Sequence, residues 1–136
     1  MTSDRSAKRF SLLLVEPYTL VRSTVASVAR SLDRVDIQES PSVDAAEALL
    51  RVHAFDGFVI ALGEDQSGLA LVARIRNGNT SSPATAAVAI TAEQVDQSSI
   101  EQLKQLEVKR VLLKPFKVKT VLETIAAFAQ PPSTRP

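Results

Sequence analysis

Apolar residues run along this chain in two alternating rhythms. Residues Phe10 to Val15, FSLLLV, form a short, almost continuous apolar run, as a strand covered on both faces of a parallel sheet requires. From Leu20 to Leu32 the rhythm changes: Val21, Val25, Val28, Ala29 and Leu32 recur at three- and four-residue steps, so a helix with one buried stripe is predicted there. The alternation repeats. Val35 to Glu39 predicts a short second strand, and Ser42 is placed to cap a helix over the alanine-rich stretch Val43 to Arg51, because its hydroxyl can accept an unpaired backbone N–H. A third strand over Phe58 to Leu62 and a helix over Gly68 to Arg76 follow, then a fourth pair over Ala86 to Thr91 and Asp96 to Gln105. Val108 to Leu113 and Val118 to Ala129 complete the set, and in the last helix Val118, Val121, Leu122, Ile125 and Ala129 share a stripe.

Five strand-then-helix units with short connections imply an α/β fold, a parallel sheet with helices on both faces, since parallel neighbours need crossovers and crossovers cover faces. A flavodoxin-like strand order of 2-1-3-4-5 is expected, with any site at the carboxyl ends of strands one and three. One domain over residues 10–129 accounts for nearly all of the 136 residues, and a second core would not fit. Residues 1–9 and 130–136, the latter reading QPPSTRP, are polar or proline-rich and are expected to be loose tails.

Composition narrows the chemistry. Lys and Arg number 16 against 15 Asp and Glu, a near balance that offers no general attraction to nucleic acid or anionic membrane. The absence of cysteine excludes disulfides, thiolate metal sites and thiol catalysis together. No apolar run approaches the length of a membrane span, and residues 1–9 lack the hydrophobic segment of a secretory signal, so a cytoplasmic location is expected.

Four separated segments carry a resemblance: LLVEPYTLVR at 13–22, SGLALVARIR at 67–76, AVAITA at 87–92 and VLLKPF at 111–116. In order and spacing they are similar to the first strand with its acidic turn, the third helix, the fourth strand and the fifth strand of the receiver domains of two-component signalling. The resemblance spans about residues 10–129. It implies a CheY-like fold whose strand ends hold two acids for Mg²⁺, an acceptor aspartate, a Thr or Ser, and a lysine. The carboxylates hold the hard cation, which with the lysine offsets charge on a phosphoryl group while the aspartate attacks it.

Measured against that pattern, Thr91 and Lys114 match, and Glu16 matches the first acidic position, but Pro17 stands in the second and has no carboxylate to offer. The acceptor position falls on Ala61 counting forward from Phe55-Asp56-Gly57, or on Ile60 counting back from Gly68 without a gap. Neither side chain can take a phosphoryl group. The resemblance is therefore to a degenerate receiver, a pseudo-receiver, with Mg²⁺ binding weak or absent, no cofactor and no enzyme activity. Asp56, five residues before Ala61, would lie ~16 Å away along a strand and is too far to substitute. Glu64 and Asp65 are in the right loop and are the candidate salvage acceptors or ligands, a solvated loop carboxylate being the plainer alternative. With both aspartates missing, Lys114 is expected to pair directly with Glu16, since a part-buried lysine without a partner is costly. Thr91 is open to a strand-capping role or a switching one.

Active receivers often carry an aromatic three residues before the lysine. Here that residue is Val111, a β-branched side chain with no ring to swing. His53, the only histidine, is expected to be a surface residue. Lys104, Lys109, Arg110, Lys117 and Lys119 run from the fourth helix into the start of the fifth, on the face that the resemblance marks as a partner surface. No helix-turn-helix or aromatic-basic interleaving points to DNA. The expected role is phosphorylation-independent binding of a protein such as a histidine kinase or another regulator, or self-association, through the fourth helix, fifth strand and fifth helix. The alternatives are a phosphorelay role using Asp65 or Glu64, and small-anion sensing in the vacated pocket against Lys114, Thr91 and loop amides.

Overall fold

The computed structural model describes residues 9–130. Strands β1 (Phe10–Val15), β2 (Val35–Ser40), β3 (Gly57–Ala61), β4 (Ala87–Ala92) and β5 (Arg110–Leu113) alternate with helices α1 (Thr19–Ala29), α2 (Val43–Val52), α3 (Ser67–Arg76), α4 (Gln97–Gln105) and α5 (Val118–Ala129). Every strand pair is parallel, and the sheet order is β2-β1-β3-β4-β5. Successive strand side chains point to opposite faces, and the core divides accordingly. Leu13, Val15, Phe58, Ile60, Val88 and Ile90 meet α2, α3 and α4 through Ala46, Leu50, Leu71, Ile75 and Leu103. Leu12, Leu14, Val59, Ala89 and Leu112 meet α1 and α5 through Val25, Ala29, Val121 and Ile125 on the other side.

Local signals act where the sequence places them. The Ser42 hydroxyl accepts the Ala45 N–H at 3.1 Å, capping α2, and the Asp96 carboxylate accepts the Ser99 N–H at 2.8 Å, capping α4 one residue before its first turn. Asp56, at the amino end of β3, accepts the Ser11 N–H at 2.8 Å, a strand-tying role far from the carboxyl ends.

Several expectations need correction, among them the fifth strand, which begins at Arg110 rather than Val108. Helix α1 stops at Ala29 rather than Leu32, because Ser31 and Leu32 donate to Val28 and Ala29 in tight i−3 turns and Arg34 takes a left-handed φ of 67°. Leu32 still packs in the core, whereas Val28, expected on the buried stripe, is 38% exposed. Strand β3 begins at Gly57 and ends at Ala61, one residue earlier than expected, although Leu62 stays buried and donates its N–H to Thr91 O at 2.8 Å. The tails expected at 1–9 and 130–136 lie outside the described residues except for Arg9 and Gln130. Arg9 is held to the sheet by an ion pair of 2.7 Å with Asp36.

Candidate functional site

At the carboxyl edge of the sheet, Glu16 follows β1, Ala61 ends β3, Thr91 lies one residue from the end of β4 and Lys114 follows β5. Parallel register brings them together. Ala61 is the sheet partner of Thr91, and Thr91 of Leu112, two residues before Lys114. The two residues reached by the two ways of counting to the acceptor position face different surroundings. Ile60 is fully inside the core beside Leu13 and Ile90, while Ala61 lines a cleft of about 650 Å³ with Thr91, Lys114, Pro17 and Tyr18.

The Lys114 ammonium lies 2.8 Å from Glu16 Oε1. Glu16 is nearly inaccessible, 2% exposed, and its other oxygen accepts the Tyr18 N–H at 3.0 Å. Lys114 also stands 5.0 Å above the Tyr18 ring, the geometry in which an aromatic face attracts a cation. The charge of Lys114 is therefore answered within the protein, by a carboxylate on one side and a ring on the other.

Three carboxylates, Glu64, Glu93 and Asp96, rim the cleft. Asp96 is already engaged as the α4 cap, and the Ser99 backbone and hydroxyl hold its carboxyl below the usual range. Of the two salvage candidates only Glu64 lines the cleft. Asp65 is turned to the start of α3, where its carboxylate accepts the Ser67 N–H at 3.0 Å and is held below the ordinary aspartate value by that bond. Among the described residues, no group of three or more His, Asp or Glu side chains is arranged to hold a metal ion. Thr91 is buried, 3% exposed, at the floor of the cleft.

The β3–α3 loop owes its shape to two glycines. Gly63 takes a φ of 81°, which favours glycine. Gly68 permits α3 to start against the end of β3: a Cβ there would stand 2.3 Å from the Ala61 carbonyl oxygen. Between them, the Gln66 amide donates to Ser99 Oγ at 2.9 Å, tying this loop to the first turn of α4. Tyr18, Gln66, Ser99 and Asp96 are the site residues that sequence reasoning missed. Tyr18 could have been suspected from its place beside the Glu16 turn; nothing in the sequence pairs Gln66 with Ser99.

The remaining candidates lie away from the cleft. Val111 is 38% exposed and Lys104, Lys109, Arg110, Lys117 and Lys119 are all exposed. His53 is also exposed, with its ring 6.4 Å from that of Phe55.

Similarity to solved structures decides the fold. The chain superposes on the non-phosphorylated HemR receiver domain from Leptospira biflexa with a TM-score of 0.78 at 22% identity, covering 94% of this chain and 98% of that one. This is the receiver fold. A response regulator receiver protein from Pseudomonas putida gives a TM-score of 0.76 at 21% identity over 88% of this chain and 97% of that one. A response regulator from Thermotoga maritima gives 0.72 at 20% identity over 88% and 97%. No protein-family model and no curated protein matches the sequence. Within the receiver fold, Glu16, Ala61, Thr91 and Lys114 occupy the carboxyl strand ends where a doubly wound sheet presents its ligand crevice. None of the described helices is long and apolar enough to cross a membrane.

Proposed function

We propose that this chain is a pseudo-receiver: a signalling module of receiver fold that is not phosphorylated at the usual position and acts through phosphorylation-independent protein contacts. The observation that carries this reading is the Glu16–Lys114 ion pair of 2.8 Å beside Ala61. Phosphoryl transfer would need a nucleophile where a methyl group stands and a cation free to meet new negative charge. Ala61 supplies no nucleophile, and Lys114 is committed to a buried carboxylate. With Pro17 in place of an acid, Mg²⁺ binding is weak or absent, and the chain has no enzyme activity of its own.

The contacts form through α4, β5 and α5, with a histidine kinase, another regulator or a second copy as the partner class, in the cytoplasm. Small-anion sensing is disfavoured by the carboxylates of Glu64, Glu93 and Asp96 around the cleft, which repel an anion that Lys114 is no longer free to attract. A phosphorelay role keeps one specific support, the presence of Glu64 on the cleft wall.

The test is intact mass after incubation with acetyl phosphate and Mg²⁺, with an active receiver as positive control. The expected result is no added phosphate while the control is labelled. A phosphate adduct that disappears in Glu64→Gln or Asp65→Asn would overturn the reading and restore the phosphorelay.

A further inference from the structure

We infer that the surface of β5 and its flanks is a docking site for an acidic partner segment that carries apolar side chains, and is not the seat of a symmetric self-association. The inference rests on the partner-binding reading above and specifies the chemistry of that surface.

Val111 and Leu113 are the register partners of Ile90 and Ala92, two residues of the core beneath α2, α3 and α4. They extend that apolar sheet face by one strand. Helix α4 does not cover the extension: its Leu103 is buried in the core, but Val111 is 38% and Leu113 55% exposed. Leu112, pointing the other way, is buried against the α1 and α5 side. The edge strand therefore presents two adjacent large apolar side chains on one uncovered face.

Charge then selects the occupant. The five ion pairs among the described residues engage Arg9, Arg22, Arg30, Arg74 and Lys114. Lys104, Lys109, Arg110, Lys117 and Lys119 are exposed and take part in none of them. Between Lys104 and Lys119 the only carboxylate is Glu107, and its charge acts on Arg76. Glu101 and Glu123, on α4 and α5, form no ion pair with the five cations either. The whole molecule has a formal net charge of +1, so the positive charge on this flank is a local accumulation balanced elsewhere.

A two-fold symmetric contact would place this patch against itself and bring like charges together around the apolar pair. A partner segment with carboxylates flanking apolar side chains meets both features at once, exchanging solvated cations for paired ones and covering Val111 and Leu113.

The experiment pans a displayed library of random short peptides against the immobilised full chain, maps the enriched peptides on the ¹⁵N-labelled protein by NMR, and measures sedimentation of the chain alone. Expected are peptides enriched in Asp and Glu around apolar residues, with shifts centred on Lys109 to Leu113. Their affinity should fall roughly tenfold or more in Leu113→Asp and in the double charge reversal Lys109→Glu/Lys119→Glu, and fall with added salt. The NMR spectra of both variants report whether they remain folded. Enriched peptides that lack carboxylates yet map to this face would overturn the acidic assignment while leaving the partner-binding reading intact. A random-sequence DNA duplex that binds with the same variant and salt dependence would identify a general polyanion surface and overturn it as well. A dimer abolished by Lys119→Glu would overturn the exclusion of self-association. No enriched peptide, with no protein captured from the host, would sink both this inference and the reading it rests on.

Discussion

Replacing Lys114 by Met keeps most of the side-chain volume and removes the cation, leaving Glu16 buried, 2% exposed, with only the Tyr18 N–H at 3.0 Å as a partner. Removing one member of a buried pair typically costs about 3–5 kcal/mol, because a charge is stranded out of water. The lost contact of Lys114 with the Tyr18 ring at 5.0 Å adds about 0.5–1 kcal/mol. The expected loss at pH 7 is therefore about 3.5–6 kcal/mol.

Urea unfolding of both proteins at pH 7 should show this gap as a lower midpoint for the variant with an unchanged slope. Glu16→Gln/Lys114→Met should recover much of the loss, since no charge is left unpaired. A loss under about 1 kcal/mol, the behaviour of a solvated surface pair, would refute the buried-pair argument.

Gly68→Ala would set a methyl group 2.3 Å from the Ala61 carbonyl oxygen, and because both neighbours are backbone the expected destabilisation is about 2–3 kcal/mol, read as a lower urea midpoint with unchanged slope. The Asp96 carboxyl is held below its usual value by the Ser99 backbone and hydroxyl, so its contribution is present above the unfolded value of about 3.9 and is lost as pH falls through the lower folded value. Amide exchange in the first turn of α4 should therefore accelerate on acidification, and at neutral pH in Asp96→Ala. If the chemical deficit is confined to the two positions named, Ala61→Asp/Pro17→Asp should gain a phosphate from acetyl phosphate and Mg²⁺, detected by intact mass; an unlabelled double variant would show that the Glu16–Lys114 pair alone bars the reaction.

Most of the framework was legible in order of residues alone. The unbroken run FSLLLV and the three- and four-residue stripes of the helices are direct consequences of burial on both strand faces and one helix face. Five such units left a parallel sheet as the simplest arrangement, and the helix cap at Ser42 acts through a neighbour three residues away. Such local relations can be read without coordinates. The places where the reading slipped were element ends, as at α1, where left-handed Arg34 and the i−3 turns depend on how the chain enters β2 rather than on periodicity.

The site divides in the same way. Sequence alone determined which residue types stand at the strand ends: an acid at Glu16, a proline beside it, a hydroxyl at Thr91 and a lysine at 114. It could not choose between Ile60 and Ala61, because loop length enters the count from one side and not the other. The strand register sends Ile60 into the core and Ala61 to the cleft, a placement that only the tertiary structure supplies. Tertiary structure likewise decided that Lys114 spends its charge on Glu16, that Gln66 reaches Ser99, and that α4 leaves Val111 and Leu113 uncovered. The physical reason is common to all of them. Each depends on distance and burial between residues remote in the chain, and a sequence pattern carries those only through the fold it specifies.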